Sequence, residues 1–421
     1  MRSAILLVVT LLLSPLNSFC QVDSLRTLSD SLPRPTESLG DKLDRLSASR
    51  VNQMIYVGVP LLVGSVIVKG QDSHFRGLRN EYLGRFDNHA DNFLQYSPAA
   101  VMLALKAAGV QSRSSWGRMM TSDAFSAATM ASVVNILKYS TDVMRPDGSN
   151  ANSFPSGHTA TAFMTATMLT KEYGHKSPWV GIGSFAVATS TGFMRMANNK
   201  HWLSDVLTGA SVGILSTEVG YFLADLIFKD RGLLVSPTPD SLDRFSRPTF
   251  FGTYLGLNIP LSDYDIDEDN VFRTSSGSSA GIEGAYFFNP YVGAGCRATV
   301  TNLLLITNGN VAERNPFNSI TACVGPYFSY PLTHRWLVGT KLLAGYLHYP
   351  RLHLSTATID SRDGVCFGSG VSLTLKARQH YGVRFFLDYN LQPSHSVTSA
   401  EWMNTLACGI SYVVMPSGKR K

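Results

Sequence analysis

Three short segments in the first half of the chain bring together the residue types that phosphoryl transfer requires. The reaction spreads negative charge over the phosphoryl oxygens, so it needs cations there, a nucleophile on one side and a proton donor on the other. The candidates are Lys138 and Arg145, then Ser156, Gly157 and His158, and then Arg195, His201 and Asp205. Each role in such a reaction therefore has a candidate residue.

The third segment pairs a histidine with a carboxylate. His201 and Asp205 are four residues apart in a stretch whose pattern predicts a helix, so both side chains are expected on one face. The Asp205 carboxylate can accept the proton of one imidazole nitrogen, which leaves the other nitrogen neutral and oriented. His201 is therefore the predicted nucleophile, with Asp205 as its orienting partner.

The second segment, Pro-Ser-Gly-His, precedes a predicted helix that begins at His158. Amide groups and the dipole at a helix N-terminus favour an anion, which places Ser156 and Gly157 beside a phosphate. Gly157 also lets the backbone approach the phosphate closely. His158 is then well placed to protonate the leaving oxygen.

The cations of the first and third segments complete the predicted phosphate site. Arg145 and Arg195 can each present two N–H groups to phosphate oxygens, and Lys138 adds a point charge. Each segment alone has an ordinary explanation, such as a surface ion pair, a turn before a helix or solvated helix-end charges. All three in this order, with these spacings, indicate one functional site.

The spacings K-x6-R-P, P-S-G-H and R-x5-H-x3-D resemble the signature of the type 2 phosphatidic acid phosphatase family, which is related to vanadium haloperoxidases and bacterial class A acid phosphatases. The resemblance covers roughly residues 56–228. It implies a metal-free phosphatase, without a cofactor, that works through a phosphohistidine. By this resemblance the catalytic residues are His201, His158 and Asp205, and the phosphate-binding residues are Lys138, Arg145, Ser156, Gly157 and Arg195.

One position departs from the family pattern. Met194 stands where the family usually has a serine before the arginine. The change removes one possible hydroxyl contact and none of the charged groups. We expect it to tune the activity rather than abolish it.

The chain of 421 residues is long enough for two domains. Residues 1–20 have the order of a signal peptide, with cleavage expected before Gln21, and a retained signal anchor is the alternative. The expected order is then a flexible lead-in at 21–50, a helical phosphatase domain at 51–233, a linker at 234–248 and a strand domain at 249–416.

The predicted helical domain has about six core helices. An apolar run at Met54–Val68 is marginally long enough for a membrane span, and an amphipathic stretch from Phe75 to Phe86 is either an interfacial or an ordinary surface helix. The later helices either span a membrane through small packing residues or form a periplasmic bundle. They are predicted at Tyr96–Val110, Ser122–Tyr139, His158–Tyr173, Trp179–Met196 and Trp202–Phe228.

Beyond the linker the pattern alternates. Tyr381, Val383 and Phe385 fall on one face, and Gly382 and Arg384 on the other. Apolar-out, polar-in strands predict a small membrane β-barrel, and a soluble sandwich or barrel is the alternative. The eight segments lie near 250–261, 278–288, 290–302, 319–331, 335–349, 364–377, 381–391 and 402–414.

Four cysteines remain after the expected cleavage, which allows three disulfide connectivities that the sequence does not choose between. Alternation places Cys323 and Cys366 inward, and Cys296 and Cys408 outward. The formal net charge of +6 is modest and has no accompanying aromatic platform, so nucleic acid is not an expected partner. A mildly positive net charge favours binding to anionic lipid instead.

The expected fold is an all-α helical-bundle phosphatase domain followed by an all-β, eight-stranded antiparallel barrel. The expected function is hydrolysis of a lipid phosphate on the periplasmic side of a bacterial envelope, at either membrane. The combination with a barrel resembles lipid A 1-phosphatases, so the expected partners are lipid A or an anionic phospholipid in a membrane. Undecaprenyl pyrophosphate and phosphatidylglycerol phosphate are alternative substrates. An outer-membrane channel or adhesin with a secondary phosphatase half is the alternative class, and the oligomeric state is open.

Overall fold

A computed structural model describes residues 39–83, 86–235, 245–261, 264–267, 270–307, 311–312, 317–353, 358–378, 381–395 and 402–415. The predicted signal peptide and most of the lead-in lie outside these residues. The chain divides into two compact units, one within Met1–Leu62 and Arg79–Pro239 and the other within Val63–Leu78 and Asp240–Lys421. The domain limits expected from the sequence stay predictions.

Ten α-helices precede the strands in the described residues. The five long helices predicted from the sequence are all present, and the main difference is that the second begins at Trp116 rather than Ser122. The helices are α1 Leu39–Ala48, α2 Arg50–Ile55, α3 Gly58–Val68, α4 Asp72–Leu83, α5 Asp91–Leu94, α6 Ser97–Ala107, α7 Trp116–Thr141, α8 Gly157–Tyr173, α9 Pro178–Ala197 and α10 Leu203–Phe228.

The apolar run Met54–Val68 is not one continuous helix. It is broken between α2 and α3, and α3 has 11 residues, fewer than the roughly 20 that a membrane span needs. Among the described helices one, α10, is long and apolar enough to cross a membrane, and 67% of its most apolar window is buried within the protein. The run Met54–Val68 therefore does not form a single helix of membrane-spanning length.

The helices α8 and α10 pack closely against each other, with α9 on α8 and α7 on α10. Gly213 on α10 faces the backbone of α8, where a Cβ atom would lie 2.3 Å from the carbonyl oxygen of Ala160. Gly220 similarly faces α7, where a Cβ atom would lie 2.4 Å from the amide nitrogen of Ser126. Small residues thus allow direct backbone contact, and this contact sets the separation between the start of α8 and the start of α10.

Eight antiparallel strands in the second unit form a closed barrel. Each strand pairs with the next along the chain, and the first pairs with the last, with Phe251 opposite Val414. The predicted fold class is therefore confirmed. The strands are β1 Phe250–Pro260, β2 Asn270–Phe287, β3 Val292–Thr307, β4 Phe317–Pro331, β5 Trp336–Tyr349, β6 Arg362–Arg378, β7 Tyr381–Pro393 and β8 Trp402–Val414.

The interior of the barrel contains a network of buried charges. Lys341 Nζ lies 2.7 Å from Glu283 Oε1 and 2.8 Å from Asp388 Oδ2, and Arg297 Nη1 lies 2.7 Å from the same Asp388 oxygen. The outward positions are apolar and exposed, among them Val324, Leu342, Val371, Phe385 and Leu387. A soluble barrel has the opposite polarity, with an apolar interior and a polar surface.

All four cysteines of the strand domain are free thiols. Cys323 on β4 and Cys366 on β6 are buried, as the alternation predicted, and their sulfurs lie 3.2 Å apart. Both stand opposite Gly345 of the intervening strand β5. The missing side chain at Gly345 is what allows the two thiols to meet over that strand.

Candidate active site

The loop before α8 and the start of α10 meet in the first unit. The backbone N–H of Ser156 donates to the backbone carbonyl of Asp205, with 3.1 Å between nitrogen and oxygen. Lys138 Nζ, near the end of α7, donates to the carbonyl oxygen of Asn152 at 2.7 Å. The three segments singled out in the sequence therefore come together in space.

His201 and Asp205 are both buried and face each other. His201 lies two residues before α10 begins, while Asp205 is in its first turn, so the prediction of one shared helical face is wrong for His201. Asp205 Oδ2 lies 3.6 Å from His201 Nδ1 and accepts the backbone N–H of Trp202 at 3.0 Å. The carboxylate still faces the imidazole because the chain turns just before the helix.

The imidazole of His201 is held in its neutral form. Burial lowers the pKa of His201 below the ordinary value of 6.5, and the neighbouring Asp205 carboxylate offsets only part of that effect. Since Nδ1 faces Asp205, the Nε2 lone pair remains to act as a nucleophile.

Ser153 is a site residue that the sequence analysis missed. Its side chain is fully buried, and its hydroxyl donates to Asp205 Oδ2 at 2.5 Å while lying 3.5 Å from His201 Nδ1. The hydroxyl thus contacts both partners of the predicted pair and holds the carboxylate in place. Its position three residues before Ser156 was the only available signal, and no spacing rule singles it out.

Ser156 caps the N-terminus of α8. Its hydroxyl oxygen accepts the N–H of Thr159 at 3.4 Å and the hydroxyl of Thr159 at 2.9 Å. A hydroxyl that accepts in this way still has its own proton to donate to an anion. Together with the first amides of α8 and the open backbone at Gly157, this hydroxyl gives the start of α8 donors that an anion can use, so the predicted role of Ser156 and Gly157 stays a prediction.

Arg145 and Arg195 each have one N–H group that no described residue accepts. The Nε atoms of Arg145 and Arg195 are buried, and neither has a hydrogen-bond partner among the described residues. Burial lowers the pKa of Lys138, as does the positive charge of Arg145. Burial also lowers the pKa of Arg145, as does the positive charge of Arg195. An oxyanion would satisfy the orphaned N–H groups and relieve this repulsion.

His158 is half-buried at the start of α8, with Nε2 2.8 Å from Asn92 Oδ1. Burial and the positive charge of Arg195 lower the pKa of His158 to about 4. His158 is therefore neutral near pH 7 in the empty site. A bound phosphate dianion acts in the opposite direction and raises the pKa of His158, which favours the protonated form that an acid needs.

The short helix α5 carries two further residues that the sequence analysis missed. Asp91 is buried, and its Oδ2 atom pairs with Arg195 Nη1 at 2.7 Å, while the neighbouring Asn92 contacts His158. Asp91 lies 104 positions before Arg195, so no local spacing connects them. Only the fold reveals that Asp91 orients one of the predicted phosphate-binding arginines.

The profile of the PAP2 superfamily matches residues 121–225. This stretch of the chain is therefore similar to the PAP2 superfamily. A curated lipid A 1-phosphatase from Porphyromonas gingivalis is 47% identical over 173 residues, which are 41% of this chain. The chain spans 39% of the length of that relative.

Two solved structures show a more distant similarity. A transmembrane PAP2-type phosphatidylglycerolphosphate phosphatase from Bacillus subtilis is 19% identical with a TM-score of 0.31, over 44% of this chain and 98% of that one. The outer membrane protein OprG from Pseudomonas aeruginosa is 11% identical with a TM-score of 0.30, over 40% of this chain and 92% of that one.

Proposed function

We propose that the helical domain, which resembles the PAP2 superfamily, hydrolyses a lipid phosphate through a phosphohistidine, without a metal ion. One observation carries the proposal. The buried pair of His201 and Asp205 adjoins two arginines whose buried Nε groups have no partner among the described residues. Such a site is charged for an oxyanion and already contains a neutral nucleophile.

The first step transfers the phosphoryl group to His201. The phosphate oxygens lie against Arg145 and Arg195, and His201 Nε2 attacks phosphorus opposite the leaving oxygen. A P–N bond forms, the bond from phosphorus to the leaving oxygen breaks, and His158 gives its proton to that oxygen.

The second step releases phosphate. Water gives a proton to the now neutral His158 and attacks phosphorus. The P–N bond breaks, and inorganic phosphate leaves with His201 neutral again. Asp205 and Ser153 hold the His201 ring in one orientation through both steps.

Lipid A carrying a 1-phosphate is the proposed substrate, because the relative that is 47% identical over 173 residues is a lipid A 1-phosphatase. Undecaprenyl pyrophosphate and phosphatidylglycerol phosphate are the substrates to compare. The proposed location is the bacterial envelope, with the site facing the periplasm. The barrel favours a location in the outer membrane, because a charged interior and an apolar outer face are typical of outer-membrane barrels.

The test is phosphate release by the purified full chain from these three lipids, with His201→Ala as the inactive reference. We expect lipid A to be hydrolysed fastest, the rate to survive EDTA, and His201→Ala to lose at least about 10³-fold. Wild-type protein should form an acid-labile phosphoenzyme that the variant lacks. Activity of His201→Ala within about tenfold of wild type would refute the phosphohistidine. Ion conductance without phosphate release would favour the channel alternative.

A further inference from the structure

Two buried thiols inside the barrel take no part in the proposed phosphoryl transfer. Cys323 on β4 is 2% exposed and Cys366 on β6 is 3% exposed, and their sulfur atoms lie 3.2 Å apart. A sulfur–sulfur bond is about 2.05 Å long, so the two atoms need to approach by only about 1 Å to be joined. Both thiols are therefore placed where a disulfide could form.

The curvature of the barrel wall brings these two positions together. Cys323 and Cys366 each stand opposite Gly345 of β5, and β4 contacts β6 directly across that strand. In a flat sheet two such strands would be about 9.5 Å apart, which a disulfide cannot span. A Cβ atom at Gly345 would lie 2.5 Å from the Cα atom of Cys323, so the absence of a side chain there permits the close approach.

The other two cysteines of the strand domain are placed differently. Cys296 on β3 is exposed and stands opposite the exposed Val324, so it faces away from the buried Cys323. Cys408 is on β8, and the strands β1 and β2 lie between it and Cys296. Strands so far apart cannot be joined by a disulfide. The geometry thus selects one bond from the pairings that the sequence leaves open.

We propose that Cys323 and Cys366 form a disulfide that ties β4 to β6 across β5. The oxidant is itself a disulfide, either of a thiol oxidase protein or of a small molecule such as glutathione disulfide. One cysteine thiolate attacks a sulfur of the oxidant and releases a thiolate, and the second cysteine then attacks the mixed disulfide and releases the other. The two cysteines lose two electrons and two protons, and the oxidant becomes two thiols.

Burial determines when this exchange takes place. In the closed barrel both thiols are shielded from solvent, so a protein oxidant has no access to them. The strands β4, β5 and β6 are made before β8, which closes the barrel by pairing with β1. The bond therefore forms before closure and fixes the curvature at Gly345 early. It would form whether or not the chain hydrolyses a lipid phosphate.

The first test maps disulfides in the full-length protein, isolated without reductant from the envelope of a bacterial host. Free thiols are blocked with N-ethylmaleimide in urea, and the peptides are identified by mass spectrometry. We expect a peptide pair that joins Cys323 to Cys366, lighter by two hydrogen atoms than the two free peptides together. Cys296 and Cys408 should carry the blocking group.

A second sample separates the pairing from the location of the protein. The same chain is refolded from urea into detergent with glutathione disulfide and glutathione. A bond between Cys323 and Cys366 in the refolded sample alone would support the pairing and contradict the proposed envelope location. Blocked thiols at both positions in both samples, or a bond to Cys296 or Cys408, would overturn the proposal.

The second test measures what the bond does for the barrel. It closes a loop between residues 43 positions apart, which restricts the unfolded chain. Wild type that is reduced and refolded with dithiothreitol should therefore unfold at a urea concentration lower by about 1 M. Cys366→Ala should have a low midpoint with or without dithiothreitol, whereas the matched control Cys408→Ala should respond as wild type does. An equal response in Cys366→Ala and wild type would contradict the proposal.

Discussion

His158 is the residue whose protonation must change most between the empty and the occupied site. Burial and Arg195 lower its pKa to about 4 in the empty site, whereas general acid catalysis needs its protonated form. A bound phosphate supplies the negative charge that reverses this shift. The proton that reaches the leaving oxygen is therefore available mainly in the complex with substrate.

Replacement of His158 should affect poor leaving groups most. We expect His158→Ala to lower kcat on a lipid alkyl phosphate at least about 100-fold, and to lower it less than about tenfold on p-nitrophenyl phosphate, whose leaving group needs no proton. The matched control is His175→Ala, at an exposed position after α8, which should change neither rate. Equal losses on both substrates would exclude His158 as the acid.

Asp91 should act through Arg195 rather than on the substrate. Asp91→Asn removes the carboxylate that orients the guanidinium, so we expect kcat to fall about tenfold or more. Inhibition by inorganic phosphate should not weaken, because Arg195 keeps its charge and loses its neutralising partner. Steady-state kinetics with phosphate as a competitive inhibitor measure both quantities.

Asp147→Asn is the control for Asp91. Asp147 pairs with Lys200 at 2.7 Å near the surface, where an ion pair contributes little, so we expect kcat to change less than about twofold. If phosphate inhibition weakened in Asp91→Asn as much as kcat fell, Asp91 would be needed for ground-state binding and not for orientation.

At the scale of elements, the contact between α8 and α10 holds the two halves of the site together. A Cβ atom at Gly213 would meet the backbone of Ala160, which cannot move away alone. We expect Gly213→Ala to destabilise the helices by about 1–3 kcal/mol and to lower kcat, because α8 carries His158 and His201 directly precedes α10.

Gly183→Ala on α9 is the matched control, because a Cβ atom there meets nothing within 4 Å. The same substitution at that position should leave the helices equally stable or stabilise them by about 0.4–1 kcal/mol. The loss of the helical circular dichroism signal in denaturant measures both variants. If Gly213→Ala proved as stable as Gly183→Ala, the helices would separate more easily than their contact implies.

The elements that sequence analysis predicted well are those with a strong local period. The helices from α8 to α10 and the alternating strands β5, β7 and β8 lie within about two residues of their predicted bounds. The strand β2 begins at Asn270, eight residues before its predicted start at 278. Its stretch from Thr274 to Ser279 is rich in serine and has no apolar alternation, so pairing with neighbouring strands decides the conformation there.

The difference between local patterns and long-range contacts also explains which site residues could be predicted from the sequence. Lys138, Arg145, His158 and Arg195 were identified because each belongs to a segment with a fixed short spacing. Asp91 and Ser153 act through contacts with residues far along the chain, 104 and 52 positions away. A single sequence contains no information on those distances until the helices are packed.

At the scale of the whole molecule, the charge network should determine the stability of the barrel. Lys341 contacts both Glu283 and Asp388, so Lys341→Met leaves two buried carboxylates with less compensation. Loss of one partner of a buried ion pair costs about 3–5 kcal/mol. We expect this variant to unfold at lower urea concentration, measured by the gel shift between folded and unfolded barrel.

Lys341→Arg is the control, because it keeps the charge at the same place and should lie between wild type and Lys341→Met. If Lys341→Met resisted urea as well as wild type, water inside the barrel would be compensating the carboxylates in place of the lysine.

The pairing of β1 with β8 has a consequence for biosynthesis. These strands are separated by most of the second unit, since Phe251 lies opposite Val414, so the barrel cannot close until β8 has been made. Until then β1 and β7 each present an open edge that can pair with another chain. Assembly of this protein is therefore most vulnerable to aggregation in the interval before its last strand arrives, when a chaperone that covers strand edges has the most to protect.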